Sequence, residues 1–162
     1  MIILWYFFRF ADFVLFIGNQ NSNTDLFVQL KDYWHDMGLL TKILLLLNIL
    51  VFIVQSLITI NSFEYIICLR PFLEGQFYRI LTSTFSHADL RHIFFNMITL
   101  LIFSPQLEKH HGTVDYLLNN VLLIIGSNLI SLLMLYIASL DFLGGPEYNF
   151  HCALGYSGVL YG

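Results

Sequence analysis

Ile43-Leu44-Leu45-Leu46-Leu47-Asn48-Ile49-Leu50-Val51-Phe52-Ile53-Val54-Gln55-Ser56-Leu57-Ile58-Thr59-Ile60 decides the fold. The run has no Asp, Glu, Lys or Arg within it and approaches the ~20 apolar residues that a helix needs to cross a bilayer. Lys42 stands at its start. Asn48 and Gln55 are seven residues apart, about two helical turns, and therefore share a face. That face is expected to point into a bundle, because an amide turned toward lipid is costly. The whole chain fits a membrane setting: 57% of its 162 residues are hydrophobic and 11% are charged, where a soluble domain carries about 25% charge. The net charge is −4 and no basic cluster occurs, which argues against nucleic acid as a partner.

Outward from this span, residues 61–87 form an aromatic amphipathic stretch. Phe63, Tyr65, Phe72, Phe77 and Tyr78 stand beside Glu64, Arg70 and Glu74, and such a loop is expected to lie in the bilayer interface. Residues 88–103 read as a second span carrying His92 and Asn96, ended by Pro105 and the polar run 106–112. Residues 114–140 read as a third. Its Asn119, Asn120, Gly126, Ser127, Asn128 and Ser131 suit close helix packing. After a turn-rich loop at 141–150 with Gly144-Gly145-Pro146, a further apolar segment begins. Toward the amino terminus, Leu26, Leu30, Tyr33 and Trp34 recur at helical spacing and predict a short surface helix within 25–37. A polar loop at 18–24 precedes it. Residues 1–17 are apolar but broken by Arg9 and Asp12, and read as an interfacial or marginal segment. The expected fold class is all-α membrane protein, with three full transmembrane helices and the start of a fourth. Residues 1–38 would be an N-terminal apolar and linker segment, and 39–162 the main domain.

Two constellations could carry chemistry. His92 and Asn96 are spaced i, i+4 and share a helix face. They are either interhelical glue or a donor pair able to stabilise negative charge on a tetrahedral intermediate. Ser157, in Gly155-Tyr156-Ser157-Gly158, is either a candidate nucleophile between small neighbours or part of a helix-packing surface. His110-His111 reads as a solvated helix end and not as a metal site. Cys68 and Cys152 fall on the Ser157 side of the membrane by span counting. A disulfide in an oxidising compartment and two free buried thiols both remain open.

Four segments occur in a fixed order: Tyr78-Arg79; His87-Ala88-Asp89-Leu90-Arg91-His92-Ile93-Phe94-Phe95-Asn96; Glu108-Lys109-His110-His111-Gly112; and Cys152-Ala153-Leu154-Gly155-Tyr156-Ser157-Gly158-Val159-Leu160-Tyr161. Together they resemble the rhomboid intramembrane serine proteases, over about residues 39–162. The last segment is most similar to the endoplasmic-reticulum subgroup. The resemblance implies a partial rhomboid helical bundle with Ser157 as nucleophile and His92, Asn96 and the Ser157 backbone N–H as the oxyanion hole. Gly155 and Gly158 would support the motif. Tyr78 and Arg79 would brace the first loop, and Glu108 would bond within that loop or to a nearby helix end. The implied reaction is hydrolysis of a peptide bond in or beside a substrate's transmembrane segment, by a serine–histidine dyad without metal or cofactor. Transmembrane proteins and the lipid bilayer are the implied partners, in a multi-pass protein of the endoplasmic reticulum or Golgi. The dyad histidine belongs to a sixth span, absent from residues 1–162, so this chain is expected to be a carboxy-terminally incomplete form, inactive alone. The alternative is a non-catalytic rhomboid-like protein that binds transmembrane clients.

Overall fold

A computed structural model describes residues 26–58, 64–140 and 152–160. The expectations for residues 1–24, for the turn-rich loop at 141–150 and for His151 lie outside the described residues. The elements in chain order are α1 (Leu26–Asp36), α2 (Leu39–Leu57), β1 (Ile67–Cys68), α3 (Leu69–Leu73), α4 (Arg79–Phe85), α5 (Leu90–His111), α6 (Thr113–Ala138), β2 (Cys152–Ala153) and α7 (Ser157–Leu160). α1 is the short surface helix that the spacing of Leu30, Tyr33 and Trp34 predicts, with Trp34 exposed.

α2 and α6 are the two described helices that are both long and apolar enough to cross a membrane. At 1.5 Å per residue they are about 28 and 39 Å long, against a hydrocarbon core of ~30 Å. Only 11% of the most apolar window of α6 is buried, so its Leu122, Ile130, Leu133 and Met134 are exposed. A soluble core helix would hide these side chains; here lipid is the solvent that covers them. α5, expected as the second span, is long enough, at 22 residues. It falls short of the other two in apolarity, because Arg91 and His92 open it and Glu108, Lys109, His110 and His111 close it.

The expected stop at Pro105 is corrected by the structure, in which α5 runs through Pro105 to His111. A proline removes one N–H and leaves the carbonyl four residues earlier without its donor. Here that carbonyl is Leu101 O, and the Tyr33 hydroxyl of α1 donates to it. The helix instead ends at Gly112, whose φ of +83° is a left-handed stop that glycine takes without strain. The loop expected over 61–87 is likewise more ordered than its composition implies, holding β1, α3 and α4.

The helices meet around Leu44, Leu45, Ile93, Met97, Leu100 and Tyr116. Asn48 and Gln55 turn inward as their spacing requires. Asn48 is fully buried and donates to Leu44 O of its own helix, and Gln55 donates to Ser86 Oγ at 2.7 Å. On α6, Asn128 links to α4 twice: its Oδ1 accepts from Ser83 Oγ, and its Nδ2 donates to Thr84 Oγ1. Gly126 has open space around it and takes no part in close helix packing.

Candidate active site

The site forms where the start of α5, the end of α4 and the segment before α7 meet. Asp89 caps α5 by accepting from the His92 backbone N–H at 2.8 Å. That bond holds the Asp89 carboxyl below its ordinary range. The cap fixes His92 in the first turn, and Asn96 follows one turn later on the same face. Asn96 is 3% exposed, and among the described residues nothing accepts from its Nδ2. An amide donor buried without a partner costs about 1–3 kcal/mol, and such a group in a folded protein calls for an explanation.

Gly155 explains why the nucleophile segment can approach this face. Its φ is +110°, a region that side chains avoid. A Cβ built on it would stand 2.5 Å from His92 Cε1, 2.6 Å from His92 Nε2 and 3.6 Å from Asn96 Nδ2. Only a residue without a side chain lets the backbone lie against both groups. The Gly155 N–H donates to Ser83 O of α4 at 2.8 Å, which fixes the turn from its other side. Tyr156 is fully buried, donates its hydroxyl to Asn120 Oδ1 of α6 and stacks on Phe85. Ser157 then opens α7. It lines a cavity of about 120 Å³ together with Gly155, Gly158 and Ser127, Asn128 and Ser131 of α6. Gly158 allows this close pairing, since a Cβ there would meet Ser127 Oγ at 2.9 Å.

The structure thus brings Gly155, His92 and Asn96 into one contact, with Ser157 two residues further along the chain. Arg79 is separate. It is buried in the first loop, donating from Nε to Gln76 Oε1 and from Nη1 to Ile66 O. Its guanidinium also lies over the Tyr78 ring. Glu108 lies about 18 Å further along α5 than Asn96. Of its two expected roles it takes the helix end: its carboxylate accepts from the Leu40 and Thr41 backbone N–H groups at the start of α2 and from the Thr41 and Thr113 hydroxyls. His110 and His111 are exposed at that same far end.

Three features of the site go beyond what the sequence reading settled. His87, seen there only as part of a motif, packs edge to face on His92 with ring centroids 5.2 Å apart. Its Nδ1 bonds Phe85 O at 3.2 Å, and its buried Nε2 has no partner among the described residues. Burial and the neighbouring His92 push its pKa down to about 4, so the ring is neutral at neutral pH. Tyr156 anchors the turn, and the aromatic residue between Gly155 and Ser157 was the available signal for it. The third is the bond between Cys68 and Cys152, which resolves the two open alternatives for these cysteines. It joins β1 to β2, which pair antiparallel with Ile67 opposite Ala153 and Cys68 opposite Cys152.

Comparison with known proteins identifies the family. The family model described as Rhomboid domain matches residues 74–162, a stretch that contains His92, Asn96, Glu108 and Ser157. Rhomboid-like protein 15 of Arabidopsis thaliana is 28% identical over 151 residues, covering 87% of this chain and 36% of that protein. Rhomboid-related protein 4 of Rattus norvegicus is 32% identical over 94 residues, 57% of this chain and 29% of its own length. Rhomboid-like protease 3 of Toxoplasma gondii is 36% identical over 63 residues, 39% of this chain and 24% of its own. The chain spans about a third or less of the length of these curated relatives. With the family model matched over more than half of its residues, the chain belongs to the rhomboid family.

Proposed function

We propose that this chain carries the nucleophile and oxyanion donors of an intramembrane serine protease. The observation that carries the reading is the buried, unpartnered Nδ2 of Asn96 beside the backbone of Gly155. A buried donor with no acceptor among the described residues is poised for an acceptor that arrives with the substrate, such as the oxygen of an attacked carbonyl. In the proposed reaction Ser157 Oγ bonds to the scissile carbonyl carbon. The carbonyl oxygen takes up negative charge and accepts hydrogen bonds from Asn96 Nδ2, His92 and the Ser157 backbone N–H. Collapse of the tetrahedral intermediate breaks the C–N bond, leaving an acyl-serine that water then hydrolyses. Taking the serine proton and passing it to the departing amine nitrogen needs one group that acts first as base and then as acid. The rhomboid resemblance assigns that role to a histidine of the family's sixth span.

The membrane helices around the site favour substrates that are themselves transmembrane proteins, cut in or beside the spanning segment. One relative, from Toxoplasma gondii, bears the name protease. The Cys68–Cys152 bond supports a site on the oxidising face of the membrane, and the sequence resemblance favours the endoplasmic reticulum or Golgi. The test is labelling of the full-length protein with a fluorophosphonate probe, with the modified residue mapped by mass spectrometry. Label on Ser157, absent from Ser157→Ala, is the expected result. A folded protein that takes no label would favour the non-catalytic, client-binding alternative.

A further inference from the structure

We infer that Cys68 and Cys152 are a positioning pair: their disulfide holds the Ser157 turn against His92 and Asn96, and reducing it releases that turn. The inference rests on the site proposed above, but its geometry can be measured separately. Cys152 lies five residues before Ser157. The strand that contains it is only two residues long, and so is its partner. So short a ladder is marginal by itself. Cys68, in contrast, sits on a firm platform. Ile67 is fully buried and Leu69 nearly so, both packed with Leu132 of α6. The preceding residue, Ile66, has its carbonyl bonded to Arg79 Nη1 at 2.8 Å. The disulfide therefore ties a weak segment to a strong one, immediately upstream of the Gly155 turn.

The tolerance downstream is small. Gly155 lies so close to His92 that a single added carbon has no room. Its own backbone is held from the other side by one hydrogen bond, from its N–H to Ser83 O, and the buried Tyr156 that follows it anchors only the far side of the turn. Loss of the covalent tie frees β2 to separate from β1 and removes the constraint that aligns this bond. Reduction by a dithiol is balanced within the pair. A reductant thiolate attacks Cys152 Sγ, the S–S bond breaks, and Cys68 leaves as a thiolate that takes a proton. The second reductant thiol then displaces Cys152 as a thiol, and the reductant ends as a disulfide, two electrons poorer. Cys152 is half-buried and Cys68 only 4% exposed, so attack starts at Cys152.

The experiment compares the wild-type chain and the Cys68→Ser/Cys152→Ser variant in lipid nanodiscs, each with and without a dithiol reductant. Amide hydrogen exchange is read across 152–160 and across α5 and α6. Reduction is expected to speed exchange of the Gly155 amide by roughly tenfold or more in the wild type while α5 and α6 keep their protection. The variant is expected to exchange fast in both conditions. Adding reductant to folded wild-type protein guards against a variant that misfolds. Equal Gly155 protection in oxidised and reduced wild type would overturn the inference. So would maleimide labelling of both cysteines in unreduced protein. In the full-length protein, fluorophosphonate labelling of Ser157 should slow on reduction, recover on reoxidation and be insensitive to reductant in the variant. No labelling in either state, together with exchange that responds to reduction, counts against the serine nucleophile and for the tether.

Discussion

Glu108 gives the sharpest prediction about stability. Its carboxylate occupies the start of α2, where two backbone N–H groups would otherwise lack acceptors. Oε1 accepts from Leu40 N and Thr113 Oγ1 at 3.0 and 2.9 Å, and Oε2 accepts from Thr41 N and Thr41 Oγ1 at 2.8 and 2.7 Å. Each oxygen serves one amide and one hydroxyl. In Glu108→Gln the new NH₂ group must face one of these pairs. The threonine hydroxyl can rotate to accept, but the backbone N–H cannot, so one helix donor loses its acceptor. At about 1–3 kcal/mol per unsatisfied donor, Glu108→Gln should cost about 1–3 kcal/mol. Glu108→Ala strands both amides and removes a favourable charge from a helix start, so it should cost about 2–5 kcal/mol. Gly38 supplies a control that leaves the carboxylate in the sequence. Its φ is −59°, which alanine adopts freely, yet a Cβ there would lie 2.2 Å from Glu108 Cδ and Oε2. Gly38→Ala should therefore displace Glu108 and reproduce much of its loss, and the double variant should be little worse than Glu108→Ala alone. Equilibrium unfolding of the chain in mixed micelles, titrated with a denaturing detergent, reads all four variants against wild type. A Glu108→Gln variant within about 0.5 kcal/mol of wild type, the range of an ordinary surface change, would refute the capping argument. So would strict additivity of Gly38→Ala and Glu108→Ala.

Two other perturbations probe the site itself. Gly155→Ala combines a left-handed φ of +110° with a Cβ 2.5 Å from His92, so it should destabilise by about 2–5 kcal/mol in the same unfolding assay. Gly126→Ala, with open space around it, should be neutral or slightly stabilising; similar losses at both positions would contradict the close approach of Gly155 to His92. His87 links stability to pH. Its folded pKa of about 4 lies below the ordinary 6.5, so the folded state binds this proton more weakly than the unfolded state does. Its contribution is complete above pH ~6.5 and is lost as pH falls toward 4. Thermal unfolding should weaken over that window, and His87→Asn should flatten the dependence; an unchanged pH profile in the variant would show that His87 is not its source.

The parts of this molecule that could be read in advance are those written in local pattern. The α2 span, the inward face of Asn48 and Gln55, and the α1 and α6 helices all follow from apolar runs and helical spacing. His92 and Asn96 could be placed on one face from their separation alone. What could not be read depends on partners distant in sequence. Pro105 ends a helix by local rule, yet here α5 continues because Tyr33, far upstream, donates to the carbonyl that the proline leaves free. Residues 61–87 looked like loop because their short elements are held by tertiary contacts, such as Arg79 on Ile66 O and Asn128 on Ser83 and Thr84. The Cys68–Cys152 pairing joins residues 84 apart in sequence, and spacing carries no signal for it. Gly155 could be picked out as a motif glycine, but its reason, the His92 ring against its backbone, emerges only in three dimensions.

The most direct measurement of the account is cleavage of a transmembrane reporter by the full-length protein, comparing wild type, Ser157→Ala and Asn96→Ala at equal folded amounts. The account predicts no cleavage with Ser157→Ala. For Asn96→Ala it predicts a rate lower by about 10²–10³-fold, the usual loss on removing one oxyanion donor, with reporter binding little changed. Undiminished cleavage by folded Ser157→Ala would contradict the assignment of Ser157 as nucleophile. An Asn96→Ala rate equal to wild type would contradict the role given to its unpartnered amide.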